Sequence, residues 1–347
     1  YQNSINTRWN KKFKNLNMKI LLIGGCGFIG FNVLEHLISK KIKNLFVIDN
    51  LSGQSSKKNL FQIKKKYKKI RFKKLDINNF NQINMFVRKY KPNFILALHG
   101  QVAVTKSIQN PRQDFNNNFL SVFNLLETIR INNLKCSLIN LSSNKVYGKI
   151  NNLKLKETKL KYQSKILVNE NSNINFESPY ACSKGAADQY LIDYFKLFGI
   201  KTVSLRLSCV YGENQWGTED QGWIAWFIKR SLNNKKIRIF GSGKQVRDVL
   251  NVKDLSKLIL TLMKKINLVK GNAFNIGGGK SNTLSLLELI KKIEKKIDKK
   301  IKYTLNKERF GDQKYFVNDL SKIKKFTGWK PKISVNKGLS MYFDWII

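Results

Sequence analysis

The sequence contains few of the residues that bind metals or form disulfides. Its four cysteines form no Cys-x-x-Cys pair, and only two histidines occur in 347 residues. A metal site would therefore have few ligands to draw on, and the cysteines fit a reduced, cytoplasmic setting better than a disulfide framework. We expect a cytoplasmic protein with no bound metal.

Long apolar runs are also missing. A membrane-spanning helix needs about 20 mainly apolar residues, and the best candidate, 20–34, contains four glycines. Residues 1–17 are polar and basic, without the apolar core of a signal peptide. We expect a soluble protein with no membrane partner, in which 1–17 form an extension outside the fold and Met18 is the natural start.

Acidic residues are scarce, with 22 Asp and Glu against 65 Lys and Arg, and the formal net charge is +43. Such a charge is typical of nucleic-acid binding, but no recognition motif accompanies it. Within 286–300 the apolar residues keep helical spacing and lysines fill the remaining face, as on a solvated helix. We therefore interpret the lysines as a hydrated surface and expect no nucleic-acid partner.

What the sequence does contain begins with a glycine-rich segment. The apolar stretch 20–23 leads into Gly24-Gly25-Cys26-Gly27-Phe28-Ile29-Gly30, and an amphipathic pattern follows to about residue 39. A strand that enters a glycine turn at a helix N-terminus can bind a pyrophosphate, because glycines let the backbone approach and the helix end offers free N–H groups. The candidate cofactor-binding residues here are Gly24, Gly27, Phe28, Ile29 and Gly30.

The next apolar segment ends at Asp49, nineteen residues after Gly30. A carboxylate at this spacing accepts hydrogen bonds from the adenosine ribose hydroxyls and repels a 2′-phosphate. The combination of strand, glycine turn, helix and acid predicts a site for NAD rather than NADP. The alternative is a glycine turn followed by a surface aspartate.

Alternating strand and helix patterns continue to about residue 212. They predict an α/β fold of the Rossmann type, a doubly wound parallel sheet whose ligands bind at the carboxyl ends of the strands. We expect an NAD-binding domain over 18–212, to which 245–275 returns, and a smaller C-terminal α/β lobe from 213–244 and 276–347. Further candidate cofactor-binding residues are Asn50, Asp76, Ile77, Gln101 and Asn118.

Tyr180 and Lys184 are four residues apart in a predicted helix that follows a Ser-Pro pair. This spacing puts both side chains on one face, where an ammonium group lowers the pKa of a phenol. Ser143 follows the fifth predicted strand at the same edge of the sheet and is a candidate partner for a substrate hydroxyl. A second Tyr-x-x-x-Lys match begins at Tyr303, but its segment alternates like a strand and lacks this geometry.

Two later features suggest a substrate site. The polar segment 149–177 is longer than ordinary connections and is predicted to be a lid or substrate loop, the alternative being a flexible insertion. Arg247 and Arg309 each lie beside glycine or an acid in a predicted loop. Two convergent guanidinium groups suit a diphosphate, and a surface ion pair is the alternative for each.

The glycine motif, Asp49, Ser143 and the Tyr180-x-x-x-Lys184 pair together resemble the extended short-chain dehydrogenase/reductases that act on nucleotide sugars. The resemblance covers Met18 to the C-terminus. Longer segments within it are similar to the CDP-paratose 2-epimerases of this family, also called CDP-tyvelose 2-epimerases: 100–103, 143–148, 178–180, 183–190, 220–223 and 243–250.

The resemblance implies that tightly held NAD transiently oxidises a nucleotide-diphosphate sugar to a keto sugar. Return of the hydride to the opposite face would then invert C-2 of a 3,6-dideoxyhexose, converting CDP-paratose to CDP-tyvelose. It also implies that Tyr180 takes the hydroxyl proton, that Ser143 holds the hydroxyl, and that Lys184 lowers the pKa of Tyr180 and binds the nicotinamide ribose. Arg247 and Arg309 would bind the diphosphate, and the protein would form a homodimer or homotetramer.

Three alternatives to this reaction make different demands on the same residues. Dehydratases of the same family place an Asp-Glu pair after the Ser/Thr position for acid/base work, and Asn144 and Lys145 stand there instead. Inversion at C-4 of a UDP-hexose uses the same three catalytic residues and stays open, because the orientation of the sugar decides which carbon reacts. A non-catalytic NAD-binding scaffold is the third alternative, and the intact set of Ser143, Tyr180 and Lys184 argues against it.

Overall fold

Short buried apolar segments form the centre of the fold. The computed structural model describes residues 18–53, 55–151 and 153–347, so the predicted extension 1–17 lies outside the described residues. In this part of the chain the strands are β1 Ile20–Ile23, β2 Leu45–Asp49, β3 Arg71–Lys74, β4 Phe94–Ala97, β5 Ser137–Ser143, β6 Lys156–Glu157, β7 Tyr162–Gln163, β8 Thr202–Leu207, β9 Cys209–Tyr211, β10 Ile237–Phe240, β11 Val246–Asn251, β12 Asn272–Ile276, β13 Thr283–Ser285, β14 Tyr303–Asn306 and β15 Tyr315–Phe316.

The helices lie between these strands and after them. They are α1 Phe28–Ser39, α2 Ser56–Lys66, α3 Phe80–Tyr90, α4 Val104–Gln109, α5 Pro111–Phe115, α6 Ser121–Ile131, α7 Pro179–Phe198, α8 Trp223–Leu232, α9 Val252–Lys264, α10 Ile266–Val269, α11 Leu286–Ile297, α12 Ser321–Thr327 and α13 Val335–Ile346. A π-helical turn at Asn116–Leu120 joins α5 to α6. Among the described residues, no helix is long and apolar enough to cross a membrane.

The largest sheet has seven parallel strands in the order β12-β8-β5-β4-β1-β2-β3. The chain builds from β1 to β3 toward one edge and then from β4 to β12 toward the other, so the strand order reverses between β1 and β4. The predicted α/β, doubly wound fold is confirmed. In such sheets ligands bind where the order reverses, at the carboxyl ends of the strands.

Helices cover both faces of this sheet, which is why its central strands are apolar along their whole length. One buried cluster joins the sheet to α1 and α9. The other joins it to α3, α6 and α7. These two layers hold the strand ends in fixed positions, and the predicted site residues lie on those ends.

A smaller lobe contains a four-stranded sheet in which β11 pairs with β9, β13 and β15. A separate parallel pair joins β10 to β14, so Tyr303 lies on a strand, as predicted. One residue, Ser208, connects β8 of the large sheet to β9 of the small one. Its Oγ donates to the Asp248 carbonyl oxygen at 2.9 Å, and its N–H donates to the Ile276 carbonyl oxygen at 2.9 Å.

The predicted lid segment 149–177 is attached to the smaller lobe. Its β6–β7 hairpin is held there because the Tyr162 N–H donates to the Lys244 carbonyl oxygen at 2.9 Å and Lys161 Nζ lies 2.8 Å from Glu288. Farther along, Val168 forms an isolated bridge with Asn318. These contacts oppose the alternative of a loose insertion, while the role as a lid stays a prediction.

Two strand ends determine where predicted site residues lie. β3 is the exposed edge of the sheet and ends at Lys74, so Asp76 and Ile77 lie just after it. Ser143 was predicted to follow the fifth strand, but β5 continues through Ser143 because it is paired on both sides with β4 and β8. Ser143 is therefore part of the rigid sheet.

Candidate active site

The glycine segment forms a tight turn between β1 and α1. Gly24 has a φ of +73°, and a Cβ on it would lie 2.7 Å from the His99 Cα. A Cβ on Gly30 would lie 2.2 Å from the Gly24 carbonyl oxygen, so the first turn of α1 packs directly on this backbone. Within the described residues no side chain caps α1 at Gly27, and its first turn holds no acid. The helix thus presents its N–H groups and positive potential at the strand ends, as a pyrophosphate site requires.

Asp49 ends β2 and is almost buried beside this turn. Its Oδ2 accepts a hydrogen bond from the Cys26 N–H at 3.1 Å, and its Oδ1 accepts one from the Leu51 N–H at 2.8 Å. Burial raises the pKa of this carboxyl group, and the two backbone donors partly offset the effect. The carboxylate is therefore fixed against the glycine turn, the position from which such an acid meets an adenosine ribose.

Asn50, Asp76 and Ile77 lie together at the β2–β3 side of the same edge. Asn50 Nδ2 is 3.4 Å from Asp76 Oδ2, and the Asp76 side chain is exposed. The Ile77 carbonyl oxygen accepts a hydrogen bond from Asn124 Nδ2 at 2.9 Å. The structure thus brings three of the predicted cofactor residues to one corner of the sheet.

Asp114 is a buried carboxylate whose role the sequence reasoning missed. Its Oδ2 accepts a hydrogen bond from Ser183 Oγ at 2.6 Å, and its Oδ1 accepts from Gln101 Nε2 at 2.9 Å and Asn118 Nδ2 at 3.0 Å. Burial raises the pKa of Asp114, while these donors and the charge of Lys184 oppose the rise. The carboxylate therefore ties two predicted cofactor residues to the helix that carries the catalytic pair.

Asn118 lies in the π-helical turn and leaves one polar atom unsatisfied. Its buried Oδ1 has no hydrogen-bond partner in the described part of the chain. A Cβ on Gly100 would lie 2.6 Å from this oxygen and 2.7 Å from Lys184 Nζ, so both atoms border the space that the glycine leaves open. An unpaired amide oxygen beside an ammonium group suits a ligand with hydroxyl groups. Together with the glycine turn and Asp49, these residues fit the predicted NAD.

Ser143 and Tyr180 meet at the carboxyl end of β5. Tyr180 lies in the first turn of α7, which begins where Ser178 Oγ accepts a hydrogen bond from the Ala181 N–H at 3.1 Å. Burial raises the pKa of Tyr180 to about 12, and a hydrogen bond with Ser143 only partly offsets the effect. Desolvation of the phenol therefore dominates this pKa, and the effect of Lys184 on it stays a prediction.

The Lys184 ammonium is directed to other partners. Its Nζ donates to the Leu141 carbonyl oxygen at 3.0 Å, and the side chain is almost completely buried. Burial lowers the pKa of Lys184 to about 8, and the charge of Asp114 opposes this. Burial and the charge of Lys184 lower the pKa of the neighbouring His99 to about 3, so the imidazole is neutral near pH 7.

Arg247 and Arg309 reach the same turn of the smaller lobe and pair with different carboxylates. Arg247 Nη2 is 2.5 Å from Asp312 Oδ1. Arg309 Nη2 is 3.2 Å from Asp220 Oδ1, and its guanidinium lies over the Phe240 ring at 4.0 Å. The Asp312 N–H donates to the Arg309 carbonyl oxygen at 3.2 Å. Each arginine therefore makes an ion pair, and one turn holds both at the junction of the lobes.

The residues directly after Ser143 also contact the smaller lobe. Asn144 Nδ2 lies 3.2 Å from Gln313 Oε1, and Lys145 Nζ donates to the Gly311 carbonyl oxygen at 2.9 Å. The Lys145 N–H donates to Ser143 Oγ at 3.1 Å. Neither side chain supplies a carboxyl group, so the acid/base pair that dehydration needs is absent from these two positions.

Comparison with known proteins identifies relatives among the enzymes of nucleotide sugars. The family model described as GDP-mannose 4,6 dehydratase matches residues 21–342. The CDP-paratose 2-epimerase of Salmonella typhi is 42% identical over 336 residues, which cover 94% of this chain and 99% of that protein. A putative UDP-glucose 4-epimerase of Methanocaldococcus jannaschii is 31% identical over 330 residues, covering 94% and 98%.

Solved structures of epimerases have the same fold. The UDP-glucose 4-epimerase of Thermotoga maritima, solved with UDP-glucose, matches with a TM-score of 0.81 and 28% identity over 94% of this chain and 98% of that one. The UDP-glucuronic acid 4-epimerase of Bacillus cereus, solved with UDP-glucuronic acid and NAD, matches with a TM-score of 0.82 and 26% identity over 95% and 99%. The predicted resemblance to nucleotide-sugar epimerases is confirmed.

Proposed function

The chain belongs to the GDP-mannose 4,6-dehydratase family, and from this premise we propose that it is an NAD-dependent nucleotide-sugar epimerase that interconverts CDP-paratose and CDP-tyvelose at C-2. The observation that carries the proposal is the hydrogen-bonded pair of Ser143 and Tyr180 at the strand ends, with Lys184 anchored beside it. The absence of a carboxyl group at Asn144 and Lys145 favours epimerisation over dehydration. The choice of sugar rests on the 42% identity to the Salmonella enzyme.

The cofactor residues fit this chemistry. In the proposal, the turn from Gly24 to Gly30 binds the pyrophosphate of NAD, Asp49 binds the adenosine ribose, and Asn118 and Lys184 bind the nicotinamide ribose. NAD, when bound, supplies a group that accepts a hydride from the sugar carbon and returns it, and its oxidised form adds a positive charge to the site. Asp49 opposes a 2′-phosphate at the ribose and so selects NAD over NADP.

Tyr180 moves the proton in the proposed reaction. Since burial raises the pKa of Tyr180 to about 12, the phenol is protonated at neutral pH and is ready to donate to the oxygen of the keto sugar. For the oxidation it must act as the phenolate, which the Ser143 hydroxyl stabilises by donating a hydrogen bond. Ser143 also holds the sugar hydroxyl, because its Oγ lies at the rigid end of β5. Inversion requires the keto sugar to present its other face before the hydride returns to the carbon.

One experiment tests the reaction and its alternative. The purified protein is incubated separately with CDP-paratose, CDP-tyvelose, UDP-glucose and UDP-galactose, without added cofactor, and inversion is followed by proton NMR. We expect interconversion of the two CDP-sugars alone. Interconversion of the UDP pair would move the chemistry to C-4, which the similarity to UDP-glucose 4-epimerases makes the second candidate. If none of the four sugars is inverted, with or without added NAD, the substrate assignment is contradicted.

An aromatic surface on neighbouring helices supports a homodimer. The rings on α5, the π turn, α6 and α7 contact one another across these elements: Phe115 meets Phe119 at 5.1 Å, Phe119 meets Tyr190 at 5.0 Å, and Tyr194 meets Phe198 at 5.0 Å. Phe115 and Phe198 are about half exposed, at 46% and 49%. A twofold axis would pair this surface with itself. Light scattering should show a dimer or tetramer in the wild type and smaller species in Phe115→Glu.

A further inference from the structure

Two cationic side chains at the junction of the lobes share one carboxylate. Lys145 Nζ is 3.6 Å and Arg247 Nη2 is 2.5 Å from the same oxygen, Asp312 Oδ1. The exposed fractions of the two cationic side chains are 20% and 9%. The next acid along β11, Asp248, bonds to the Gly279 N–H at 3.0 Å and to Asn318 Nδ2 at 3.2 Å. It therefore serves a different set of partners, and among the residues that the structure describes the group of three keeps one positive charge without a carboxylate.

An unmatched charge with so little solvent contact is costly unless an anion joins it. The effect is visible at Lys145, where burial lowers the pKa, Asp312 opposes this and the charge of Arg247 reinforces it. A second negative group would relieve the repulsion between the two cations. The cluster is thus suited to bind an anion in addition to Asp312.

The cluster adjoins the catalytic hydroxyl groups. The Lys145 N–H donates to Ser143 Oγ at 3.1 Å, and Ser143 is hydrogen-bonded to Tyr180. The cationic cluster therefore lies next to the end of β5 that carries Ser143.

The chemistry of the substrate says which anion fits. In a nucleotide-diphosphate sugar, the distal phosphate is bonded to C-1, so C-2 is the next carbon and C-4 is two carbons farther away. A hydroxyl on C-2 that contacts Ser143 and Tyr180 therefore brings that phosphate close to them. We propose that Lys145 is a substrate-binding residue which, together with Arg247, binds the phosphate attached to the sugar. This inference rests on the proposed C-2 epimerase function and extends it, since a cation beside Ser143 favours reaction at C-2, which is closer to the phosphate than C-4.

Binding of CDP and CMP to the full-length, NAD-loaded protein tests the inference, because only CDP carries the distal phosphate. Isothermal titration compares the wild type with Lys145→Gln and with Lys149→Gln, an exposed lysine in the same segment. We expect Lys145→Gln to weaken CDP by about tenfold and CMP by less than about threefold, as for loss of one charge-assisted hydrogen bond. Lys149→Gln should change neither. An equal loss for CDP and CMP, or no loss, would overturn the assignment.

Lys145→Arg separates the charge from the packing against Gly311. It should keep the affinity for CDP within about threefold of the wild type, because the positive charge remains. A loss as large as that in Lys145→Gln would show that shape, not charge, matters, and the proposal would fall. Parallel titrations with UDP and UMP keep the two questions apart: these binding differences judge Lys145, whereas the NMR experiment judges the reaction.

Discussion

The two sides of the candidate active site hold their carboxylates in different ways. On the side of the large sheet, Asp114 accepts three hydrogen bonds from neutral side chains, those of Ser183, Gln101 and Asn118. On the side of the smaller lobe, Asp312 is paired with two cations. Neutral hydrogen bonds in a buried site fix the position of the Asp114 carboxylate without neutralising it. Its negative charge can then act on the neighbouring ammonium of Lys184. Ion pairs at a half-open junction can instead be exchanged for those of a charged ligand.

This difference assigns separate tasks to the two sides. In the proposed reaction, we assign the placement of protons to the side with Asp114 and the binding of the diphosphate to the side with Asp312. Substitutions on the first side should therefore change kcat or its pH dependence. Substitutions on the second should change KM.

The largest effect is expected from Tyr180→Phe, which removes a single oxygen from the proton-transfer side. We expect kcat for epimerisation to fall about a thousandfold, the usual scale for loss of a general acid/base, with NAD and CDP binding retained. NMR rates and titration measure the two quantities. Tyr303→Phe is the matched control, since this tyrosine has the same Tyr-x-x-x-Lys spacing but lies on β14. This substitution should leave kcat unchanged. A kcat for Tyr180→Phe close to that of the wild type would contradict the assignment of proton transfer to this side.

Arg247→Met tests the opposite side. Lys145 remains to pair with Asp312, so the carboxylate is not left alone, and we expect KM to rise about thirtyfold with little change in kcat. Arg238→Met is the control, because that arginine is 59% exposed and its pair with Glu219 contributes little. Steady-state kinetics at two salt concentrations would show the contribution of charge. A fall in kcat at constant KM would contradict the assignment to binding.

Asp114→Asn should move the pH profile without a large loss at its optimum. The ammonium of Lys184, whose pKa is about 8, loses its proton as the pH rises, and the negative charge of Asp114 delays that loss. His99 is neutral and does not compensate. We expect the alkaline fall of kcat/KM to shift to lower pH by about one unit. Ser183→Ala keeps the charge of Asp114 and should leave the profile in place. An unshifted profile in Asp114→Asn would show that this charge does not act on Lys184.

The smallest effect is expected from Arg309→Lys. The charge is kept, while the planar contact with Phe240 and the forked geometry are lost, so KM should rise only about threefold. Arg309→Met, measured in the same assay, should raise KM further than Arg309→Lys does. If Arg309→Lys raises KM as much as Arg247→Met does, the geometry of the guanidinium group matters more than its charge for binding on this side.

The sequence predicted the large sheet and the positions of Ser143, Tyr180 and Lys184 because local patterns determine them. Parallel strands bring their carboxyl ends to one edge, and four-residue spacing on α7 sets two side chains on one face. The π-helical turn that holds Asn118 could not be predicted from the sequence, because the same residues also fit the period of an ordinary α-helix.

The contacts of Asp114 and Asp312 could not be predicted in the same way. Asp114 stands in the first turn of a short helix, and Asp312 in a polar turn, and both positions favour an acid for local reasons. Their partners Ser183 and Arg247 lie 69 and 65 residues away in the chain. Whether the pKa of Tyr180 rises or falls depends on how deeply the phenol is buried, and the spacing of residues in the sequence does not show this.

The single residue between β8 and β9 limits how the two lobes move. Ser208 is bonded to Asp248 on one side and to Ile276 on the other, so the chain offers no hinge at this crossing. Large rigid-body closure normally needs a few residues that absorb changes in φ and ψ. In the proposed reaction, we therefore expect the side chains at this crossing, rather than a change in its backbone, to select among sugars. For protein engineering, this means that exchanging those side chains on an unchanged backbone is the direct route to a new sugar specificity.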